Sequence, residues 1–198
     1  EELGYRIKLL GIAKSDKLGV EIRVHPTLVP EKRLVANVDG AMNAVLVQGN
    51  MVGPTLYYGA GAGSEPTASA VAADIIDIAR QSKLSNKTLI PTLGFMPDKI
   101  QKKNILSIED IFSEFYLRFT MENKAGLLAK ITQIFAEHKI SINSMVHKEV
   151  QEDNQNPDIF LITSKTKESD INAIINEIEL LPENIEKIVK IRTEDLKK

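Results

Sequence analysis

Short apolar stretches suited to strands, the clearest alternation being VEIRV (residues 20–24), recur between residues 5 and 58, and the pattern then changes to helical spacing. The stretch YRIKLLGIA (residues 5–13) predicts a strand. A polar turn follows at residues 14–17 with Gly19 just beyond, and VEIRV (residues 20–24) returns as a hairpin partner. Pro26 and Pro30 predict an interruption of regular pairing, because proline donates nothing to a ladder. Residues 34–38 lead into Asp39-Gly40, a dipeptide suited to a tight turn. Further strands are predicted at residues 44–48 and 55–58, separated by a turn over residues 49–54. The period then lengthens: Val71, Ile75 and Ile78 form one helical stripe, with Asp74, Asp77 and Arg80 off it. The first part therefore reads as antiparallel strands with one closing helix. Repeated βαβ units are absent, so it carries no nucleotide fold of its own.

Residues 86–108 hold Pro91, Gly94, Pro97 and a cluster of lysines, and read as the connection between two halves. Their apolar members Leu89, Ile90, Leu93, Phe95 and Met96 predict that part of this connection docks on a neighbouring surface. From residue 115 the pattern is βαββαβ. Phe115, Leu117, Phe119 and Met121 alternate with Tyr116, Arg118 and Thr120, which predicts a half-buried strand. A turn over residues 123–126 enters a helix with Leu128, Ile131 and Phe135 at helical spacing. Strands follow at residues 140–146 and 158–163, joined by a polar loop over residues 151–157. A second helix carries Ile171, Ile174, Ile175 and Ile178 on one side, and residues 189–192 supply the last strand. Two helices on one face of an antiparallel sheet make a ferredoxin-like layer pair, so the fold class is α+β. The expected organisation is residues 1–85, a linker at 86–110, and a second domain at 111–198.

Candidate chemistry gathers at two turns. Gly59, Gly61 and Gly63 run into a helix start where Ser64 can cap exposed N–H groups and Pro66 suits the first turn. Such a turn lets a ligand approach the backbone at the positive end of a helix dipole. It equally serves as a packed strand-to-helix turn, since G-x-G-x-G is not the dinucleotide spacing G-x-G-x-x-G. Glu65 beside it is either a polar ligand contact or a first-turn acid. The second turn offers Gly126, the helix N-terminus behind it, the Asn123 amide and Asn143 on the next strand. The plainer reading makes Asn123 a cap, Gly126 a turn and Asn143 a solvated strand residue. His25, His138 and His147 lack metal-ligand spacing; His25 suits packing or a strand end more than a place near an active site, and His138 suits a helix C-terminus.

RVHPTLVP (residues 23–30), NVDGAMNAVLVQG (37–49) and YYGAGAGSEPTASAVAADI (57–75) resemble, in this order and spacing, the later catalytic region of homoserine dehydrogenase. ENKAGLLAKITQIFAEHKISIN (residues 122–143) resembles an ACT domain, the regulatory module that many members of that family carry at the C-terminus. The resemblance covers nearly the whole chain. It implies a C-terminal portion of an NAD(P)-dependent enzyme that interconverts aspartate semialdehyde and homoserine, on the route to threonine, isoleucine and methionine. Residues 1–85 would be the end of the catalytic and dimerisation region, and residues 111–198 the ACT domain. Gly63 and then Gly61 would contact NADP or NAD. Asn123, Gly126, Leu127 and Asn143 would hold an amino-acid effector, threonine foremost, where two copies pair in a homodimer or larger homo-oligomer. The lysine proton donor and the dinucleotide fold would lie upstream of this segment, so no catalytic residue is assigned here and the chain alone is expected to be inactive.

Composition adds bounds. A net charge of −2 and no basic stripe with interleaved aromatics give nucleic acid little to bind. The absence of cysteine removes disulfides and thiolate metal sites and fits a cytoplasmic enzyme. No apolar run approaches the ~20 residues of a membrane helix. The start EELGYRIKLL has neither an initiator methionine nor a signal pattern and reads as the tail of a helix entering a strand, as in a piece of a longer chain. The rival readings are a non-catalytic amino-acid-binding regulator and another enzyme bearing an ACT domain.

Overall fold

The structure is a computed structural model that describes residues 3–15, 17–83, 91, 94–148 and 156–196. Leu89, Ile90 and Leu93 of the connection, and residues 151–155 of the polar loop, lie outside the described residues. In chain order the elements are β1 (Tyr5–Ser15), β2 (Val20–Pro30), β3 (Met42–Gly49), β4 (Gly53–Ala60), α1 (Ser64–Lys83), β5 (Phe112–Thr120), α2 (Leu127–Glu137), β6 (Ile142–Lys148), β7 (Asp158–Thr163), β8 (Thr166–Lys167), α3 (Glu168–Glu179) and β9 (Val189–Thr193). They fall into two compact units, Glu1–Ala36 with Asn104–Leu196, and Asn37–Lys103.

The first unit holds one sheet in the order β1-β2-β9-β5-β7-β6, with β8 beside β5. Its β9-β5-β7-β6 portion, with α2 and α3, is the ferredoxin-like βαββαβ arrangement that the spacing predicts. Phe115, Leu117, Phe119 and Met121 are wholly buried at alternate positions, because period-two side chains point to one face of a strand. They pack with Ile131, Phe135, Ile171, Ile174 and Ile178 from the two helices. Full burial of each such side chain contributes about 1.5–3 kcal/mol against chain entropy. One expectation shifts by a residue: Leu127, not Leu128, faces the core, at 7% against 37% exposure.

The antiparallel strands of the first part divide between two sheets. The β1–β2 hairpin joins the sheet of the second half, where Thr27 and Leu28 of β2 pair in parallel with Arg192 and Thr193 of β9. Nor do the two prolines interrupt β2, which pairs with β1 all the way from Ser15↔Val20 to Tyr5↔Pro30. Parity explains this. The Leu28 carbonyl accepts from Glu194 N–H, so even-numbered residues of β2 turn their polar backbone atoms away from β1. Pro26 and Pro30 share that parity and cost the β1 ladder nothing. Part of the connection also docks here: Val20 donates to the Asn104 carbonyl at 2.8 Å and accepts from Leu106 N–H at 3.0 Å. Phe95 and Met96, expected to dock, are 67% and 58% exposed.

In the second unit, β3 and β4 form an antiparallel hairpin from Met42↔Ala60 to Gly49↔Gly53. It leads through the glycine turn into α1, none of whose residues is buried.

Candidate functional site

Asn43 pairs with Gly59 across the hairpin. Its carboxamide, which donates to the Ala41 carbonyl at 3.3 Å, occupies the space a side chain at Gly61 would need. Gly61 is therefore a glycine for room. Gly63 is one for conformation, with φ +130°, a region that side chains avoid. The helix begins at Ser64, so Gly63 and not Ser64 holds the capping position, and the Gly63 carbonyl accepts from Thr67 N–H at 3.2 Å. Pro66 lies in the first turn as expected. From Gly63 and Ser64 an open apolar groove runs along α1 past Thr67, Val71 and Ile75. A ligand can thus meet bare backbone at the helix start and an apolar surface beyond it, which suits a contact to a larger bound cofactor. The side chains that line it are apolar apart from the Ser64 and Thr67 hydroxyls. Asn43, although within a segment quoted above, carried no sequence signal of its role; only the hairpin register brings it to Gly61.

At the second turn the plainer reading holds for Gly126, which is a turn residue, but not for Asn123 or Asn143. Gly126, with φ +85° in the left-handed region, is itself the N-cap of α2, and no side chain caps the helix. Asn123 is exposed and is not the cap. Leu127 is committed to the fold: its side chain is in the core, and its N–H donates to the Lys124 carbonyl at 3.2 Å. Asn143 sits at a register shift between Ile142 and Ser144 and donates from Nδ2 to the Thr163 carbonyl at 3.1 Å, which makes it more than a solvated strand residue.

These residues are not all brought together within one chain. The Thr163 hydroxyl accepts from Phe115 N–H, whereas Asp158 pairs with both Thr120 and Lys148. Asn143 is therefore level with the start of β5, and the Asn123–Gly126 turn follows its end. The two lie about 20 Å apart along the strand direction.

A charged cluster not foreseen from sequence lies where β2 meets β9. Glu168, the first residue of α3 and 2% exposed, accepts from Arg192 Nε at 2.8 Å and Nη2 at 2.6 Å, and from Lys190. Burial pushes the Glu168 carboxyl up, but the Arg192 and Lys190 hydrogen bonds outweigh it and hold the group below its ordinary value. Arg23 reaches Glu194 at 3.0 Å. His25 places Nδ1 3.0 Å from the Pro26 carbonyl oxygen, and its buried Nε2 has no hydrogen-bond partner among the described residues. Burial, with Arg192 and Arg23 nearby, lowers the His25 pKa despite the Pro26 bond. His138 does cap the end of α2, and its Nε2 also meets Glu177 at 2.9 Å. Among the described residues no group of three or more His, Cys, Asp or Glu is arranged to hold a metal ion, and no helix is long and apolar enough to cross a membrane.

Two family models match successive parts of the chain. Residues 1–76 match the family model for homoserine dehydrogenase, and residues 115–183 match that for the ACT domain. The chain carries a homoserine dehydrogenase segment followed by an ACT domain. A crystal structure of a homoserine dehydrogenase from Thiobacillus denitrificans is 53% identical, with a TM-score of 0.90 over 99% of this chain and 44% of that one. Homoserine dehydrogenases of Neisseria gonorrhoeae and Pseudomonas aeruginosa are 48% and 45% identical over 99% of this chain, in each case 45% of the relative. The chain thus spans less than half the length of these curated relatives. The glycine turn and Asn43 lie inside the homoserine dehydrogenase segment, and Asn123, Gly126, Leu127 and Asn143 inside the ACT domain.

Proposed function

We propose that this chain supplies the C-terminal portion of an NAD(P)-dependent homoserine dehydrogenase, a cytoplasmic enzyme that interconverts L-aspartate semialdehyde and L-homoserine. The observation that carries the reading is the likeness to the Thiobacillus denitrificans homoserine dehydrogenase over 99% of the chain at a TM-score of 0.90. In this reading the Gly61–Gly63 turn closes on the cofactor, NADP or NAD, with Gly63 as the main contact. The rest of the cofactor and the proton donor belong to a portion of the enzyme outside this chain. Joined to that portion of the Neisseria gonorrhoeae enzyme, the chain should restore NAD(P)-dependent oxidation of L-homoserine. Gly63→Val should then raise the KM for the cofactor. A chimera that folds yet has no such activity would count against the reading, as would threonine-inhibited NADPH oxidation by the chain alone.

The ACT domain is proposed to bind a pathway amino acid, L-threonine foremost, between two copies. Support comes from topology. Among the described residues β6 is an edge strand, and a second copy laid antiparallel along it would carry its Asn143 to the Gly126 end of the first. Backbone N–H groups at the uncapped start of α2 would take the carboxylate. Calorimetric titration with L-threonine, isoleucine and methionine tests this. One saturable threonine site per chain, weakened by Asn143→Ala, is expected. A signal from another amino acid alone would change the effector, and silence from all three would refute amino-acid binding by this chain.

A further inference from the structure

The turn proposed to hold the effector is tied to one particular strand. Glu122 N–H donates to the Glu183 carbonyl at 2.9 Å, Ile185 N–H to the Thr120 carbonyl at 3.1 Å, and Met121 bridges Asn184. From the helix side Lys130 pairs with Glu183 at 3.1 Å. Both flanks of the Asn123–Gly126 turn are therefore fastened to residues 183–185, and these lead directly into β9.

β9 in turn has two neighbours. On one side it pairs with β5 from Glu114↔Thr193 to Arg118↔Val189, which is the sheet of the ACT domain. On the other it pairs with β2 of the homoserine dehydrogenase segment. Arg192 is opposite Phe115 on one side and Thr27 on the other, while its guanidinium is gripped by Glu168 of α3. The next residues continue the attachment. Glu194 N–H donates to the Leu28 carbonyl at 2.9 Å, the Glu194 carboxylate meets Arg23 and Lys14, and Asp195 meets Arg33 at 3.0 Å. Thr27 and Val29 are wholly buried at this seam.

We propose that β9 is the strand through which an amino acid bound at the 123–126 turn acts on the homoserine dehydrogenase segment, by changing how firmly β9 holds β2. The inference rests on the effector reading above and adds to it the element that carries the effect. Two sites are coupled when each biases the same element; β9 is bonded to β2 and continues from residues 183–185, which are bonded to the flanks of the turn. β2 then continues along the chain through Leu34–Asn37 to the segment containing Asn43 and the glycine turn.

Amide hydrogen exchange on the whole chain tests this at Leu28 and Glu194, with β7 amides as the internal control. Without ligand, Glu168→Gln releases Arg192 and should speed exchange at both reporters by about fivefold or more relative to β7. Arg192→Lys, which keeps the charge but loses the two-pronged grip, serves if the first variant does not fold. Exchange at Leu28 and Glu194 that stays unchanged in the folded variant overturns the proposal, since β2 would then be held independently of α3 and β9. Saturating L-threonine should shift exchange at the same two amides of the wild-type chain by a similar factor, and less in the variant. Calorimetric binding of threonine with no change at Leu28 and Glu194 overturns the coupling and leaves the effector site standing. An absence of binding by threonine, isoleucine and methionine overturns both.

Discussion

Two glycines that look alike in the sequence hold their places for different reasons, and the difference is testable. Gly126 has φ +85° and nothing within 4 Å of where a Cβ would stand. Gly126→Ala therefore costs backbone strain alone, about 1–2 kcal/mol, and urea unfolding should read that loss without a change of slope. Gly61, in contrast, faces Asn43, so Gly61→Ala should disturb the hairpin less when Asn43→Gly accompanies it; hydrogen exchange at the first turn of α1 would show the rescue. Single side chains also set the acid response. The folded state holds the His25 pKa below 6.5, so as pH falls below that value the unfolded chain takes up the proton first and stability declines. Glu168 has its pKa held below 4.5; the stability it contributes is intact above that value and is lost as pH falls through the folded pKa. Thermal melts from pH 7 to 5 should show the first decline, and His25→Gln should flatten it.

The helices of the ACT domain make a sharper test at the scale of elements, because one face is buried and its neighbour is not. Ile131→Ala should cost about 2–5 kcal/mol by emptying a packed site, whereas Leu128→Ala, on the more exposed face, should cost well under half of that. Equal losses in urea unfolding would mean that α2 is rotated from the orientation described. Much at this scale was legible in the sequence. The strand at residues 158–163, the apolar row Phe115–Leu117–Phe119, and the isoleucines of α3 followed from periodicity alone. The continuity of β2 through Pro26 and Pro30 did not, because whether a proline breaks a ladder depends on which edge its missing N–H would face. The two-residue β8 is too short to leave a period, and α2 read one residue out because Leu127 and Leu128 are adjacent and equally apolar. Of the candidate site, the two turns were visible as glycine before helix. The Asn43–Gly61 contact, the wide separation of Asn143 from Gly126 and the Glu168 cluster depend on register between distant strands, on which local pattern is silent.

At the scale of the whole molecule, much apolar surface is left uncovered. Ile7, Leu9, Ile22 and Val24 are each more than half exposed, and strand alternation puts them on one face of the β1–β2 hairpin. Val71, Ile75 and Ile78 on α1 are likewise exposed. Contiguous apolar surface of this kind drives association, so sedimentation of the chain alone should show concentration-dependent self-association, reduced by Leu9→Lys. A species that stays monomeric across the accessible concentration range would contradict this. The strand between β2 and β5 is drawn from residues 189–193, which are synthesised long after β2 (Val20–Pro30). Translation delivers about 5–20 residues per second, so for several seconds the finished hairpin waits with the β2 edge open. A chaperone that shields the nascent hairpin during that interval should raise the yield of soluble protein, and slowing elongation between the codons for β2 and β9 should lower it.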